Sequence, residues 1–519
     1  MVNSMDAISG PSVVEKAGLT NGGPCRMIEK PLPREMETCV LIPGFLSRAE
    51  CAALIDAAEG RGFSSAELDY PPSYRNNDRQ VLTDVELAAR LLSRLREEIP
   101  DGVERLLPGD LIPNWKLEGI NERFRLCRYQ PGQRFHIHQD GVHHRGPDCR
   151  SMLTFMVYLT DGDDFEGGDT LFYAAGPQAG EGKSNLVARI RPRAGSLIVF
   201  DHSIWHAGEE VTRGVKHVLR SDLLFRDVSE MAPPVNTSVS HHQGYVWTLM
   251  ELDDGRVASG GRDGSIRIWH GEGALSSSLT GHSQSVLGLI EARPGVIASI
   301  SRDRTLRYWD IAEARCIRSV TAHAAAVLSI VLISAGTIAT GSADHTIRLW
   351  SENGELVRSL VGHDGWVWGL VSIGQDLLAS ASEDGSVRIW NLASGRCIAT
   401  FRTSCALRTI DTYQPDLTGG PSHLAIGDAS GQVTFLSTGL SDVRELASFK
   451  AHDAAVRRVK FLHGGILATC GEDNHLRIWS GNPSQLIHED VHRNFVTDVI
   501  ELRSGASVSC GYDGELRWK

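Results

Sequence analysis

The sequence lacks the features of several protein classes. Its ten cysteines are scattered singly and form no CxxC pair, which argues against a disulfide framework or a zinc module and favours reduced, structural thiols. No apolar run is long enough to span a bilayer, and the first 23 residues lack the apolar core of a secretory leader. We therefore expect a cytoplasmic protein without a membrane partner, with the nucleus as the alternative compartment.

Basic residues are fewer than acidic ones. The chain has 52 lysines and arginines against 64 aspartates and glutamates, a formal net charge of -12. This balance disfavours nucleic acid as the main partner, and no basic stripe interleaved with aromatic residues offsets it. At 519 residues the chain is too long for one ordinary core, so we expect two or more domains.

Two prolines mark the predicted boundary between the domains. Residues 1–37 are small, polar and interrupted by glycine and proline, which predicts a flexible tail. The stretch VSEMAPPVNTSV contains both prolines and ends regular structure, so we place a linker at 228–235. This leaves a first domain at 38–227 and a second at 236–519.

The first domain begins with helices and continues with strands. Two capping boxes, Ser47-x-x-Glu50 and Thr83-x-x-Glu86, open two helices with apolar periodicity. From 122 to 226 the sequence changes to short β-rich runs such as RFRLCRY and SMLTFMVYL. This order predicts an α+β domain with helices packed on a β-sandwich.

The second domain repeats itself. Six dipeptides end in histidine, and each histidine precedes an aspartate by 21 positions. The pairs are His242 and Asp263, His282 and Asp303, His323 and Asp344, His363 and Asp384, His452 and Asp473, and His492 and Asp513. Tryptophan follows five of these aspartates by six positions, at Trp269, Trp309, Trp350, Trp390 and Trp479, and Trp518 follows the last aspartate by five. A period of about 40 with these marks resembles the WD40 repeat, in which four strands build each blade of a β-propeller.

Seven such units fit the chain, which predicts a seven-bladed propeller. The unit at 400–445 is degenerate, with Asp428 and Phe435 in place of aspartate and tryptophan. The last unit has only three predicted strands, so we expect VNTSVS, at 235–240, to complete it and close the ring. We expect each aspartate in a tight turn bonded to its histidine, and each tryptophan buried between blades. These residues are predicted to be framework without chemistry.

Candidate metal ligands occur in RYQPGQRFHIHQDG, residues 128–141. His138 and Asp140 lie two apart on a predicted strand and therefore point to one face, and His206 follows in a later strand. Two histidines and one carboxylate that leave open positions are the facial triad of non-haem Fe(II) oxygenases. Such a site uses only two histidines, so the others nearby are expected beside the site or on the surface. These are His136, His143, His144 and His202.

With these motifs on one domain, residues 38–226 resemble the 2-oxoglutarate/Fe(II)-dependent dioxygenases, in the branch that includes the prolyl 4-hydroxylases. The matching features are Tyr129-x-x-Gly132, His138-x-Asp140, Tyr158, GGDTLF at 167–172, PRAGSLIVF at 192–200, His206-Ala-Gly and Gly214-Val-Lys216. The resemblance implies a double-stranded β-helix, or jelly-roll, that binds Fe(II). It also implies 2-oxoglutarate and O2 as cosubstrates and allows ascorbate as a reductant.

The resemblance also implies which residues hold 2-oxoglutarate. The far carboxylate of the cosubstrate meets a basic residue ten positions after the second histidine, which is Lys216 here. Arg220, four residues further on the same strand face, is the alternative or a helper. Tyr129 and Tyr158 match positions whose phenols hydrogen-bond the cosubstrate. A carboxylate at Asp140, where halogenating relatives carry a small residue, favours hydroxylation.

Two loops are candidates for contact with the substrate. YPPSYRNNDRQ, at 70–80, either closes over the site or forms a plain surface turn. Its candidate residues are Tyr74, Arg75, Asn76 and Arg79. The glycine-rich stretch at 174–185 favours a solvated hairpin over a lid.

The leading hypothesis is a dioxygenase that hydroxylates an unactivated C–H, with a prolyl or other protein side chain as the specific substrate hypothesis. In it the propeller recruits a protein partner or a protein substrate, because propellers present rigid loop-rich faces. Two alternatives stay open. One is a WD40 interaction scaffold whose oxygenase domain is inactive, and the other is an oxygenase for a small molecule with a regulatory propeller.

Overall fold

The computed structural model describes residues 28–519 apart from a set of short gaps. The gaps are 34–37, 67–73, 101, 108–110, 147, 175–184, 229–241, 335, 375, 414–421, 440–441, 481–484 and 493. The chain divides into two compact units with the main boundary after residue 236. In the described residues no helix has the length and apolar character needed to cross a membrane.

The described part of the first unit contains two α-helices, α1 (Arg48–Arg61) and α2 (Val85–Glu98). Ser47 caps α1 in the predicted capping box, since Glu50 N–H donates to Ser47 Oγ and Ser47 N–H donates to the Glu50 carboxylate. The predicted box at Thr83 is wrong by one residue. Asp84 is the N-cap of α2, because the backbone of Thr83 is still paired in a strand.

Fifteen strands belong to the described part of this unit. They are β1 Cys39–Ile42, β2 Ser64–Ser65, β3 Asp78–Thr83, β4 Trp115–Ile120, β5 Arg123–Tyr129, β6 Phe135–His138, β7 His144–Gly146, β8 Cys149–Tyr158, β9 Phe165–Gly167, β10 Thr170–Tyr173, β11 Leu186–Ile190, β12 Leu197–Asp201, β13 Trp205–Gly208, β14 Val211–Gly214 and β15 Lys216–Asp227. A large sheet has the order β1-β12-β8-β15-β5-β3-β2, with β4 beside β15 and β7 beside β8. A smaller sheet has the order β11-β10-β13-β6, and β14 pairs with β9.

Side chains of the large sheet alternate between two cores. Phe155 and Val157 of β8 pack with the helices, while Tyr158 belongs to a second core that contains Phe172 of the smaller sheet. Val218 and Leu219 of β15 divide between the two cores in the same way. The unit is therefore the predicted α+β jelly-roll, with helices on one face of the large sheet and the smaller sheet on the other.

The second unit consists of seven successive antiparallel sheets. Their strands are β16 Val246–Glu251, β17 Val257–Gly261, β18 Ile266–Trp269 and β19 Leu275–Leu279; β20 Val286–Arg293, β21 Val296–Ser301, β22 Thr305–Asp310 and β23 Arg315–Thr321; β24 Val327–Ser334, β25 Thr337–Ser342, β26 Ile347–Trp350 and β27 Leu356–Leu360; β28 Val367–Ser372, β29 Leu377–Ser382, β30 Ser386–Asn391 and β31 Arg396–Arg402; β32 Leu407–Tyr413, β33 Ser422–Asp428, β34 Gln432–Thr438 and β35 Val443–Lys450; β36 Val456–Phe461, β37 Leu467–Gly471, β38 His475–Trp479 and β39 Leu486–Val491; and β40 Val496–Glu501, β41 Ser507–Gly511 and β42 Leu516–Trp518. These are the seven predicted blades.

The repeated residues of the blades form one hydrogen-bonded unit. In the fourth blade His363 Nδ1 lies 2.9 Å from the Asp384 carboxylate, and Asp384 sits in the turn between β29 and β30. His363 Nε2 lies 2.7 Å from Ser380 Oγ, to which buried Trp390 donates at 2.8 Å. The same serine or threonine bond recurs at Ser259, Ser299, Thr340 and Thr469. The framework prediction is thus extended by a fourth residue.

The first and last blades are neighbours. Leu249 N–H of β16 donates to the Asp498 carboxylate of β40 at 2.9 Å, and Thr497 Oγ1 donates to the Val246 carbonyl at 2.5 Å. In its described part the last blade has three strands. The strand predicted at 235–240 to complete it lies outside the described residues.

The irregular fifth blade does not place Asp428 and Phe435 as predicted. Asp428 pairs with the first residue of β32, as Ser382 pairs with that of β28, so Ser430 takes the aspartate position and buried Leu436 takes the tryptophan position. Asp428 accepts hydrogen bonds from the N–H groups of Ser430 and Gln432 and so holds the turn. Regular blades place histidine four residues before the innermost strand, and Thr403 takes this place before β32. Thr403 Oγ1 donates to the Gly385 and Cys405 carbonyls, so the local turn stays satisfied without a histidine–aspartate pair.

Candidate functional site

The predicted metal ligands come together between two neighbouring strands of the smaller sheet. His138 ends β6 and is directly opposite His206 of β13. Asp140 lies just after the end of β6 rather than on the strand as expected, and its N–H donates to the His202 carbonyl at 3.0 Å. All three side chains are buried, and their ligand atoms lie within 4.8 Å of one another.

Backbone carbonyls hold the two imidazoles in similar ways. His138 Nδ1 lies 2.7 Å from the His136 carbonyl, and His206 Nδ1 lies 2.9 Å from the Ile204 carbonyl. Both Nε2 atoms therefore turn to Asp140, at 3.5 and 3.6 Å from its carboxylate oxygens. His138 Nε2 is buried and has no hydrogen-bond partner among the described residues. A buried, partnerless nitrogen beside a second imidazole and a carboxylate fits a divalent metal ion.

The electrostatics keep these groups in the form that binds metal. Burial lowers the pKa of His138, and burial together with His138 lowers the pKa of His206 to about 3, so both rings are neutral at neutral pH. Burial alone would raise the pKa of Asp140, but Arg220 and the imidazoles outweigh it and hold that pKa well below its usual value. A neutral histidine pair and an ionised aspartate are the required ligand states.

Thr154 and His202 support Asp140 from β8 and from the end of β12. Thr154 Oγ1 donates to the Asp140 carboxylate at 2.5 Å and lies 3.0 Å from His202 Nδ1. His202 Nε2 lies 3.0 Å from Ser151 Oγ. His202 was expected beside the site or on the surface, and it lies beside the site. Thr154 was missed, because a single threonine in an apolar strand carries no spacing signal.

Arg220 lies at Asp140, the carboxylate of the candidate metal site. Its guanidinium forms an ion pair with Asp140 Oδ1, and its side chain is largely buried. Asp222, on the same strand, forms an ion pair with Arg125 at 3.2 Å. Burial alone would lower the pKa of Arg220, but the negative charges of Asp140 and Asp222 outweigh it and raise that pKa. The strand therefore places Arg220 at the ligand end of the site, four residues from Lys216.

Lys216 is buried beside two tyrosines. Its Nζ donates to the Gly168 carbonyl at 2.6 Å and lies 5.3 Å from the ring centre of Tyr129 and 5.9 Å from that of Tyr158. Burial lowers the pKa of Lys216 to about 8 and raises the pKa values of both phenols, which stay protonated donors. In the described part of the chain Lys216 has no carboxylate within ion-pair distance. A buried ammonium with neutral donors beside it suits a carboxylate ligand.

The loop proposed for substrate contact is described from Tyr74 onwards, and 70–73 lie outside the described residues. The Tyr74 ring lies edge-on to the His138 ring, with centroids 5.9 Å apart. Arg75 is 5 % exposed, and Asn76 bonds the backbone near Gly132. Arg79 lies within β3 opposite Cys127.

The other histidines expected beside the site or on the surface lie in β6 and at the start of β7, and most of the glycine-rich loop at 174–185 lies outside the described residues. His136 donates its N–H to the Tyr74 carbonyl, and burial lowers the pKa of its ring to about 4. His144 begins β7, directly after His143. The stretch 175–184 lies outside the described residues, so the hairpin expected there stays a prediction.

Comparison with protein families agrees with both units. The model of the 2OG-Fe(II) oxygenase superfamily matches residues 124–221, which include all three candidate ligands and Lys216. The model of the WD domain, G-beta repeat, matches 233–270, 314–351, 354–391 and 443–480. No curated protein matches the chain. The protein therefore consists of an N-terminal domain of the 2OG-Fe(II) oxygenase superfamily followed by C-terminal WD40 repeats.

Proposed function

We propose that the first domain is an active 2-oxoglutarate-dependent dioxygenase that hydroxylates an unactivated C–H bond, with a prolyl or other protein side chain as substrate. The buried group of His138, Asp140 and His206 carries this proposal, together with His138 Nε2, which has no hydrogen-bond partner among the described residues. Iron(II) bound by these residues would activate O2 and couple hydroxylation to the conversion of 2-oxoglutarate to succinate and CO2.

The residues around the metal ligands have separate tasks in this proposal. Lys216 binds the far carboxylate of 2-oxoglutarate, because it is a buried cation with only a carbonyl as its acceptor in the described residues. The rings of Tyr129 and Tyr158 lie beside Lys216 and offer neutral donors. The Tyr158 hydroxyl donates to Thr170 Oγ1 at 2.8 Å, so it would exchange this acceptor for the cosubstrate. The aromatic rings around the histidines exclude water from the reacting centre, notably Phe135, Phe172 and Phe200.

Arg220 has a different task from the one implied by the family resemblance. Its ion pair with Asp140 supports a role in holding the metal-binding carboxylate. Lys216 is then the cation for the cosubstrate. We expect Lys216→Ala to weaken 2-oxoglutarate binding more than Arg220→Ala does, and Arg220→Ala to weaken metal binding more than Lys216→Ala does. Isothermal titration of the full chain, first with Mn(II) and then with 2-oxoglutarate under nitrogen, measures both affinities.

Succinate release tests the activity itself. Purified full-length protein with Fe(II), 2-oxoglutarate and ascorbate in air is expected to release succinate, and His138→Ala is expected to abolish the release. Wild-type protein that neither binds metal nor releases succinate would favour the inactive scaffold. Succinate release that rises with a small metabolite, and never with peptides or proteins, would favour the small-molecule oxygenase.

We propose that the propeller binds a protein and brings it to the oxygenase domain, because WD40 repeats generally mediate protein interaction. The full-length His138→Ala variant retains the propeller and serves as bait for substrates that it cannot convert. Captured proteins are then incubated with wild-type enzyme and analysed by mass spectrometry. A mass gain of one oxygen on a captured protein supports recruitment, and captured proteins that never gain oxygen contradict it.

A further inference from the structure

Residues 74–77 run antiparallel beside the strand that carries the first histidine ligand. The N–H of His136 donates to the carbonyl of Tyr74 at 3.0 Å, and Arg75 forms a β-bridge with Phe135. The His136 carbonyl is in turn the group that holds the imidazole of the ligand through Nδ1. The segment therefore fixes the peptide group that sets the ring's orientation.

Side-chain bonds lock the same alignment. Asn76 Oδ1 accepts the N–H of Arg134 at 2.8 Å, and Asn76 Nδ2 donates to the Gly132 carbonyl at 3.1 Å. One amide side chain thus satisfies a donor and an acceptor of the backbone that leads into β6. Because both partners are backbone groups, the bonds fix the position of the strand rather than that of a side chain.

A stack of three side chains continues to the metal ligand. The Arg75 guanidinium carbon lies 4.1 Å from the Phe135 ring centre, and the Phe135 ring stacks on the His138 ring with centroids 3.6 Å apart and an interplanar angle of 18°. The edge of Tyr74 closes another side of the imidazole. Phe135 is 7 % exposed, so neither ring has room to tilt without moving its neighbour.

The arginine at the far end of the stack is itself held in place. Arg75 Nε and Nη2 both donate to Asn77 Oδ1, at 2.9 and 2.8 Å, and Nη2 also lies 3.8 Å from Cys127 Sγ. Asn77 is fully buried. Because Asn77 is fixed, it holds the planar Arg75 guanidinium in one orientation over the Phe135 ring. A loop that only closes over the substrate would not need this fixed orientation.

We propose that Arg75, Asn76 and Phe135 are positioning residues that brace His138 and hold its Nε2 towards the metal ion. This inference rests on the proposed function, since it gives the segment a task at the iron site. It assigns Arg75 and Asn76 to metal binding rather than to closure over the substrate. Tyr74 keeps its place beside the ligand, where contact with the substrate stays a prediction.

Cobalt(II) titration of the full-length protein without 2-oxoglutarate tests the brace, because Co(II) visible absorption reports both affinity and ligand geometry. We expect Phe135→Leu, Arg75→Met and Asn76→Ala to weaken Co(II) binding, by about tenfold or more for the first two, as is typical when the support of a ligating histidine is lost. Their absorption bands should shift as the histidine tilts. Arg75→Lys keeps the charge but not the fork and should fall between Arg75→Met and wild type. Arg90→Met, which removes an exposed arginine of the same domain, is the control and should bind as wild type does.

The outcomes separate the two proposals. A wild-type protein that binds no Co(II) would overturn the proposed function, and the brace with it. Wild-type binding with an unchanged affinity and spectrum in Phe135→Leu and Asn76→Ala would overturn the brace alone. Circular dichroism identifies a variant that fails to fold, and Asn76→Ala, which removes only two hydrogen bonds, then decides the test. In Asn76→Ala, normal Co(II) binding together with weaker binding of the substrate would contradict the brace. It would instead support the alternative that the segment 70–80 closes over the substrate.

Discussion

Replacing Lys216 by methionine should make the protein more stable and at the same time unable to respond to 2-oxoglutarate. Lys216 is 3 % exposed, and burial lowers its pKa from 10.5 to about 8. A group whose charged form is disfavoured on folding reduces stability whenever it is charged. Methionine has a similar length and keeps the apolar contacts without the charge.

The magnitude follows from the pKa difference between the unfolded and folded states. At about 1.4 kcal/mol for each pKa unit, a fall from 10.5 to about 8 corresponds to about 3 kcal/mol at neutral pH. The hydrogen bond to the Gly168 carbonyl offsets about 1 kcal/mol of this. We expect the variant to be about 2 kcal/mol more stable than wild type at pH 7 without cosubstrate.

The pH dependence has a definite sign. Between pH 8 and pH 10.5 the unfolded chain holds a proton on this lysine that the folded chain has released, so wild-type stability rises with pH through this window. The advantage of Lys216→Met should therefore be full below pH 8 and disappear by about pH 10.5. For the same reason, 2-oxoglutarate affinity of the wild type should fall as pH rises above 8.

Urea unfolding at pH 7 and pH 10, with Mn(II) and with or without 2-oxoglutarate under nitrogen, measures both effects. A ligand at a hundredfold excess over its dissociation constant should stabilise the wild-type oxygenase domain by about 2.7 kcal/mol and the variant by far less. Lys116→Met removes an exposed lysine of the same domain and is the matched control. The reasoning is refuted if Lys216→Met is less stable than wild type at pH 7 and still gains stability from 2-oxoglutarate.

Three further predictions concern hydrogen bonds in the two domains. Thr154→Val should weaken Co(II) binding by about tenfold while Thr154→Ser restores it, since only the hydroxyl reaches Asp140; equal affinities in a cobalt titration would contradict this. Trp390→Phe should destabilise the propeller by about 1–3 kcal/mol in urea, because it leaves the Ser380 hydroxyl without its indole donor; an unchanged urea midpoint would show that this bond does not stabilise the blade. Asp384 has a lowered pKa, to which its bond with the histidine of its blade contributes, so its stabilisation is lost as pH falls below about 4; Asp384→Asn should flatten this acid dependence in melts from pH 7 to pH 3.

The repeat period of the propeller made some of its framework residues predictable from the sequence and left one of them unrecognised. Six of the seven blades carry the turn aspartate and five carry the buried indole, so aspartate and tryptophan recur at countable spacings. The serine or threonine that links them also recurs, 17 positions after each histidine and, in the five blades whose indole donates to it, 10 positions before the tryptophan. It was missed because small hydroxyl residues are common in strands, and only the bonded geometry distinguishes this one.

The irregular blade shows the opposite case. Sequence reasoning assigned Asp428 and Phe435 to the aspartate and tryptophan positions by their order, but strand pairing places Ser430 and Leu436 there. The structure places Thr403 at the histidine position, 27 residues before Ser430, where regular blades have a separation of 21. The additional residues fall between β32 and β33. A spacing rule fails when a loop changes length, while strand pairing keeps the register.

Sequence alone determined the two fold classes, the metal ligands as candidates and the lysine as a candidate for cosubstrate binding, because these depend on residue types at short, regular separations. Tertiary structure decided which side chains support them. Thr154 reaches Asp140 from a neighbouring strand, and Arg75 reaches His138 through Phe135 across 63 positions of sequence. Such contacts arise from sheet pairing and packing, which bring distant residues together without leaving a local pattern in the chain. The same sheet places Arg220 on Asp140, a distinction from Lys216 that four residues of separation could not reveal.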